Sequence, residues 1–249
     1  MMGRMKSFSW LPLCLAACAG AETRPDGSFE CRRASGPIVI DGRADEAAWA
    51  RAQRVDGFTL HWLGEKARPA RTATRARLLW DDEALYFFAE MDDADLFARV
   101  KERDGMTWLD DVFELFFKPH ADRPGYYEFQ VNPLNTQLDM YLPERGKDGG
   151  YAVRKSDREF DYRSAVVLRG TLNKKDDQDQ GWSCEGRIAW SGFAPTGGAP
   201  APGAVWAFAL CRYDYSRDFP KGPELSSSAP LTQPSFHRHE DYAPLRFVR

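Results

Sequence analysis

Residues 75–90 read RARLLWDDEALYFFAE. The first half places Ala76, Leu78 and Trp80 on one face, a period of two that belongs to an extended chain. Asp81, Asp82 and Glu83 reverse the direction, and residues 85–90 return as a second apolar run, so the stretch predicts a β-hairpin. The same habit recurs outward from it, at residues 112–117, 126–132, 164–168, 182–190 and 204–213. Helix signals are few. Residues 44–51 (ADEAAWAR), started by Asp41 or Gly42, form the best candidate, and residues 93–101 offer another turn. Many short strands with little helix predict an all-β protein, an antiparallel, immunoglobulin-like β-sandwich with one or two short helices.

Composition agrees with one globular unit. The 249 residues carry 34 Lys+Arg against 37 Asp+Glu, for a formal charge of −3. Charges of both signs are interspersed, so the basic footprint of a nucleic-acid binder is absent. Sixteen Pro and 20 Gly punctuate the chain, which suits short strands and excludes a coiled coil or a membrane bundle.

The first 17 residues have a different character. Arg4 and Lys6 precede a short apolar stretch, the layout of a secretory signal and too short to span a bilayer. Leu15-Ala16-Ala17-Cys18 resembles the lipobox of bacterial lipoproteins, which implies cleavage before Cys18 and lipidation of its thiol. Ala19, in place of Asp, implies sorting to the outer membrane of a Gram-negative cell, facing either the periplasm or the outside. The expected organisation is a signal peptide at 1–17, a lipidated Cys and polar tether at 18–29, and a β-sandwich at 30–249. Loss of the signal leaves 32 basic against 37 acidic residues, about −5.

Alternation also groups polar side chains. Phe113, Leu115 and Phe117 share one face of their run, and Val112, Glu114 and Phe116 the other. In residues 126–132, Tyr127, Phe129 and Val131 point inward, leaving Tyr126, Glu128, Gln130 and Asn132 together. Paired strands would give one face a carboxylate, amides and rings. That set suits a polyhydroxylated ligand, since amides and carboxylates bond adjacent hydroxyls while rings cover the apolar sugar face. On the pattern alone the plainer reading is a solvated sheet face.

Several stretches together resemble family 9 carbohydrate-binding modules. They are Ile38 to Gly42 with Asp45, Glu46 and Trp49; residues 76–90; the Trp-x-x-Asp at 108–111 with Val112 to Phe116; residues 125–132; residues 170–173 with Gly181, Trp182 and Glu185; and Leu245 to Phe247. The resemblance is to the stand-alone family 9-like proteins of Gram-negative bacteria. It implies a non-catalytic β-sandwich that binds an oligo- or polysaccharide, at a chain's reducing end in xylanase-linked members, between two clamping Trp rings. Trp108 falls at one clamp position and Phe236 at the other. Glu114, Gln130 and Asn132 match sugar-bonding positions, with Gln130 replacing an Arg. Structural calcium in some members makes Asp92, Asp93, Asp95, Asp110 and Asp111 loop candidates, though no spacing identifies a metal site and no other cofactor is expected.

The residues also offer other chemistry. Glu114, Glu128, Asp139 and Glu185 are the carboxylates from which a glycosidase pair would come. Glu185 is expected to pair with Arg212 in the next strand. His237 and His239 read as a loop pair. A haem-carrying DOMON domain is the rival, with Met91, Met106 and Met140 as axial candidates, but no haem-attachment motif occurs. If residues 182–190 and 204–213 are adjacent antiparallel strands, Cys184 lies opposite Cys211 within disulfide range, Cys31 being the competing partner.

Overall fold

The computed structural model describes residues 27–146, 160–217, 219 and 221–249. The expected signal peptide at 1–17 and the expected lipidation site, Cys18, lie outside these residues. Twelve strands form one hydrogen-bonded sheet: β1 (Phe29–Arg33), β2 (Arg54–Val55), β3 (Thr74–Trp80), β4 (Ala84–Asp92), β5 (Val112–Lys118), β6 (Tyr126–Val131), β7 (Gln137–Leu142), β8 (Tyr162–Arg169), β9 (Gly181–Ala189), β10 (Val205–Asp214), β11 (Glu224–Ser227) and β12 (Ala243–Val248). The order is β7-β6-β5-β10-β12-β1-β3-β4-β9-β8, with β11 on β10 and β2 on β3. All pairings are antiparallel except those of β1, which runs parallel to both β12 and β3.

The sheet folds over until its two ends meet. Gln137 Nε2 on β7 donates to Ser164 Oγ on β8 at 2.7 Å, and Tyr162 OH donates to the Gln130 carbonyl at 3.2 Å. The all-β, sandwich-like architecture is thus one sheet nearly closed on itself. Its core is aromatic: Phe87 on β4 stacks on Phe113 of β5 at 6.3 Å, and Phe129 on β6 meets Tyr162 on β8 at 5.5 Å. Those contacts join the two halves, and burial of each large ring contributes about 1.5–3 kcal/mol.

Both helix expectations give way to tertiary bonding. No α-helix occurs among the described residues, only five short 3-10 segments. In the first candidate only Trp49–Arg51 coils. Glu185 explains this: its Oε2 accepts from Asp41 N at 2.9 Å and Gly42 N at 3.1 Å, and its Oε1 from Trp49 Nε1 at 2.9 Å. The segment is thereby stretched over the outer face of β4, where Trp49 packs on Phe88 beside Tyr86. Gly42 has φ +87° and approaches Val167 so closely that a Cβ would sit 3.0 Å from it. Eight residues of helix propensity do not outweigh these anchors. Glu185 therefore does not pair with Arg212; the two belong to β9 and β10, which are not neighbours.

The second candidate, 93–101, is an extended loop because its amides bond elsewhere. Leu96 N donates to Asp179, Phe97 N to Asp111, Ala98 N to Asn173, and Arg99 N and Val100 N to Asp110. Five side-chain acceptors replace the helical carbonyls.

The proposed disulfide fails for the same topological reason as the ion pair. Cys184 stands between Ala89 and Val166, whereas Cys211 stands between Glu114 and Ser227. Cys31, Cys184 and Cys211 are all buried, unbridged thiols.

Candidate functional site

Register brings the polar side chains together. On β5 and β10, Glu114 faces Cys211 and Val112 faces Tyr213; on β6, Gln130 faces Glu114 and Glu128 faces Phe116. Alternation then places Tyr213, Glu114, Phe116, Glu128 and Gln130 on the face opposite the aromatic core. This face is not solvated. Glu114 is 2% exposed, Glu128 3% and Gln130 1%.

Two loops make the cover. The 93–111 loop brings Thr107, whose hydroxyl donates to Gln130 Oε1. The loop between β11 and β12 brings Phe236 and His237, and is pinned where Tyr242 OH donates to the Phe236 carbonyl at 2.6 Å. Phe236 packs on Phe116 at 6.3 Å, Tyr213 at 5.2 Å and Trp62 at 6.4 Å. His237 lies edge-on to Phe116 at 5.6 Å, and its Nδ1 is 2.9 Å from Tyr126 OH.

The electrostatics are unusual for a buried site. Gln130 Nε2 donates to Glu128 Oε1 at 2.5 Å, but Glu128 Oε2 and Glu114 Oε1 have no hydrogen-bond partner. Burial pushes the Glu114 carboxyl well above the usual range, and the neighbouring Glu128 charge pushes it further. Burial raises Glu128 to about 7, against the opposing bond from Gln130. His237 is lowered to about 4 by burial, so it is a neutral imidazole at pH 7. The Tyr213 phenol is raised by burial and then by both glutamates, which places it beside them. A protonated carboxyl, a carboxylate acceptor, an amide, a phenol and an imidazole thus line one apolar-walled face, a set able to exchange hydrogen bonds with several hydroxyls.

The five residues singled out in the sequence fare differently. Glu114 and Gln130 stand on this face. Trp108 is half-buried in a 3-10 turn, Thr107–Leu109, between exposed Met106 and Leu109; its carbonyl accepts from Tyr215 OH at 2.8 Å. Phe236 is no open platform: at 4% exposure it is wall rather than clamp. Asn132 is committed to its own turn. Its Nδ2 donates to the Val100 carbonyl and Asp110 Oδ2, both at 2.9 Å, and its Oδ1 accepts from Leu134 N and Thr136 N. No capacity remains for a ligand.

Sequence reasoning missed Trp62, half-buried against Phe236 in the exposed 61–66 segment. A Trp among Gly and charged residues was its only signal. It also left His237 in a loop pair: the loop is right, but His237 is a half-buried part of the site. Met91 and Met140 are core residues, and Met106 is exposed.

The acidic loop residues serve protein donors. Asp92 forms a bidentate pair with Arg75 at 3.0 Å, Asp95 accepts from Arg217 N, and Asp110 accepts from Arg99 N, Val100 N and Asn132. Asp93, Asp111 and Asp214 offer ligand atoms within 4.8 Å of one another. The buried Arg212 guanidinium fills that cluster, 2.9 Å from Asp93 and 3.2 Å from Asp214, and also donates to the Asp92 carbonyl at 2.9 Å. Both Asp111 oxygens accept from backbone amides, Phe97 N and Tyr215 N, at 2.6 Å. Of the oxygens of these three aspartates only Asp214 Oδ1 is without a partner, so this donor set does not fit calcium, which takes six to eight oxygens.

Comparison with known proteins matches residues 40–237 to the family described as "Carbohydrate family 9 binding domain-like". Endo-1,4-beta-xylanase A of Thermotoga neapolitana is 31% identical over 108 residues, 41% of this chain but 9% of the enzyme. Exoglucanase XynX of Acetivibrio thermocellus is 27% identical over 175 residues, 62% of this chain and 15% of the enzyme. The chain therefore spans only a small part of these relatives. Among solved structures, a family 9 module from Caldicellulosiruptor kristjanssonii in complex with cellotriose superposes with a TM-score of 0.56 at 16% identity, covering 89% of this chain and 93% of that one. Its complex with glucose gives 0.57 at 16% identity, over 88% and 96%. With a family match over most of its length and that family's fold throughout, the chain belongs to the carbohydrate family 9 binding domain-like family.

Proposed function

We propose that this protein binds a glycan without cleaving it, on the face formed by β10, β5 and β6, the two loops that cover this face parting to admit the sugar. The observation that carries the reading is the pair of buried carboxylates, Glu114 and Glu128, each with an oxygen that no protein group satisfies. An unpartnered buried acceptor costs roughly 1–3 kcal/mol, and sugar hydroxyls are the donors that remove the cost. The half-buried Trp108 and Trp62 rings supply stacking surface for the apolar face of a pyranose. Cellotriose and glucose in the C. kristjanssonii complexes support a saccharide of that general kind.

The carboxylates argue against hydrolysis. Glycosidases set their two acids on opposite sides of the scissile bond. Glu114 and Glu128 project from adjacent strands of one sheet face, so both approach a ligand from the same side. Asp139 is tied to Arg103 and Glu185 to the 41–49 segment. The first 18 residues support export and lipid anchoring, which would hold the binding face near polysaccharide being degraded or imported.

A glycan array with residues 19–249, followed by calorimetry on the hits, tests the binding claim. Binding of a β-linked glucan or xylan oligosaccharide without release of reducing sugar is expected; absence of any saccharide ligand overturns the reading. For the anchor, native protein should carry lipid on Cys18 by mass spectrometry, and Cys18→Ser should leave the membrane fraction. An unmodified Cys18 removes that part alone.

A further inference from the structure

Beside the glutamate face lies a cavity of different charge. It has a volume of about 280 Å³, and its lining includes Trp62, Arg68, Arg71, Lys221, Glu224 and Leu225. It continues the same sheet surface, because Leu225 on β11 is the cross-strand partner of Tyr213. Trp62 belongs to both places, since its ring also packs on Phe236.

The cavity's charge is unbalanced. Glu224, whose side chain is 4% exposed, is the single carboxylate among the described residues that line it. It bonds the Arg68 guanidinium, accepts from Arg71 N at 2.6 Å, and lies 3.3 Å from Arg71 Nη1. One buried carboxylate thus holds two guanidinium groups, whose side chains remain 39% and 48% exposed. Lys221 adds a third cation with no carboxylate at ion-pair distance among the described residues. Among the described lining residues, three cations thus face one carboxylate, in a chain whose formal net charge is −3.

We propose that this pocket is a subsite for an acidic sugar residue, a hexuronate within the same glycan. The proposal rests on the saccharide reading of the neighbouring face and extends it to a substrate class. A hexuronate presents what the pocket complements: a pyranose face for Trp62 and a planar carboxylate for the guanidinium groups. Arginine recognises carboxylates through paired N–H donors, and Glu224 fixes both arginines in advance, which lowers the ordering cost of binding. A neutral sugar would leave the excess charge uncompensated.

The test uses the full-length chain in detergent and calorimetry with matched oligosaccharides, one set neutral and one carrying glucuronate or galacturonate. The expected result is about tenfold tighter binding of the acidic set at low salt, with the margin shrinking as ionic strength rises. Lys221→Gln and Arg71→Gln should each cut that margin severalfold and leave neutral-sugar affinity unchanged. Lys221→Gln removes no ion pair to a described residue, so its melting temperature should equal the parent's, and a melt run beside the titration separates lost recognition from misfolding. Equal affinity for both sets, or a margin untouched by Lys221→Gln, overturns the acidic subsite while the glycan reading stands. Failure of both sets to bind removes the two together.

Discussion

Glu114 on β5 and Glu128 on β6 lie on the same sheet face, two residues apart in register, and among the described residues neither forms an ion pair with an arginine or lysine. A buried pair of acids without a cation does not ionise twice at neutral pH. The proton retained there has a consequence for stability.

Both folded-state pKa values are raised by burial, Glu128 to about 7. In the unfolded chain these groups lose their protons near the ordinary glutamate value of about 4.3. Between that value and about 7 the folded state holds protons that the unfolded state has released, so raising the pH favours unfolding. Asp93 and Asp139, each raised to about 6 by burial, act in the same direction. Thermal melts should therefore show stability falling from about pH 5 to pH 8. Glu128→Gln should flatten the profile; a slope unchanged in that variant would show that the pair does not hold the proton.

Arg212 presents the opposite case, a buried cation with partners. Its guanidinium reaches Asp93, Asp214 and the Asp92 carbonyl and is 1% exposed. Arg212→Ala leaves those carboxylates buried and unpaired, which should cost about 3–5 kcal/mol in urea unfolding. Arg212→Lys should recover little, because a single ammonium cannot span the same acceptors. A loss below about 1 kcal/mol for Arg212→Ala would show that the cluster relaxes around another charge.

The cysteines make a simpler forecast. Cys31, Cys184 and Cys211 are fully buried, and burial pushes each thiol well above its ordinary value. Such thiols are unreactive. Iodoacetamide should leave all three unmodified in the folded protein and label all three after denaturation without reductant. A reductant-dependent label on any pair would reveal a bridge.

These outcomes bear on what the sequence makes legible. The strands from β3 to β6 and β8 to β10 follow from apolar alternation, because a two-residue period is a local property. β1 is less legible: five residues with one buried side chain carry little alternation, and its parallel partners lie far away in the chain. Residues 44–51 do not form the expected helix because propensity is local while the bonds to Glu185 span more than a hundred residues. The same division holds in the site. Alternation correctly puts Glu114, Glu128 and Gln130 opposite the core, but their burial depends on Thr107, Phe236 and His237, delivered by loops whose paths no period encodes. Asn132 looked available for a ligand because its acceptors and donors, Val100, Asp110, Leu134 and Thr136, become visible only in the folded turn.

Trp108, Trp62 and Phe236 should separate by exposure. Trp108 and Trp62 are half-buried, whereas Phe236 is 4% exposed and wedged among Phe116, Tyr213 and Trp62. Stacking one sugar face on an accessible ring is worth on the order of 1–3 kcal/mol. Trp108→Ala and Trp62→Ala should each weaken saccharide binding by roughly tenfold to a hundredfold, at about 1.4 kcal/mol per decade. Both variants should melt close to the parent. Phe236→Ala should instead cost about 3–5 kcal/mol of stability, since it opens a cavity in a packed wall. Glu114→Gln offers the polar counterpart: it keeps the shape, removes the acidic proton, and should lower affinity while raising stability at pH 8. Calorimetry and melts on the four variants distinguish the roles. Severe destabilisation of Trp108→Ala with unchanged ligand affinity would make Trp108 a structural residue and move the stacking surface to Trp62 alone.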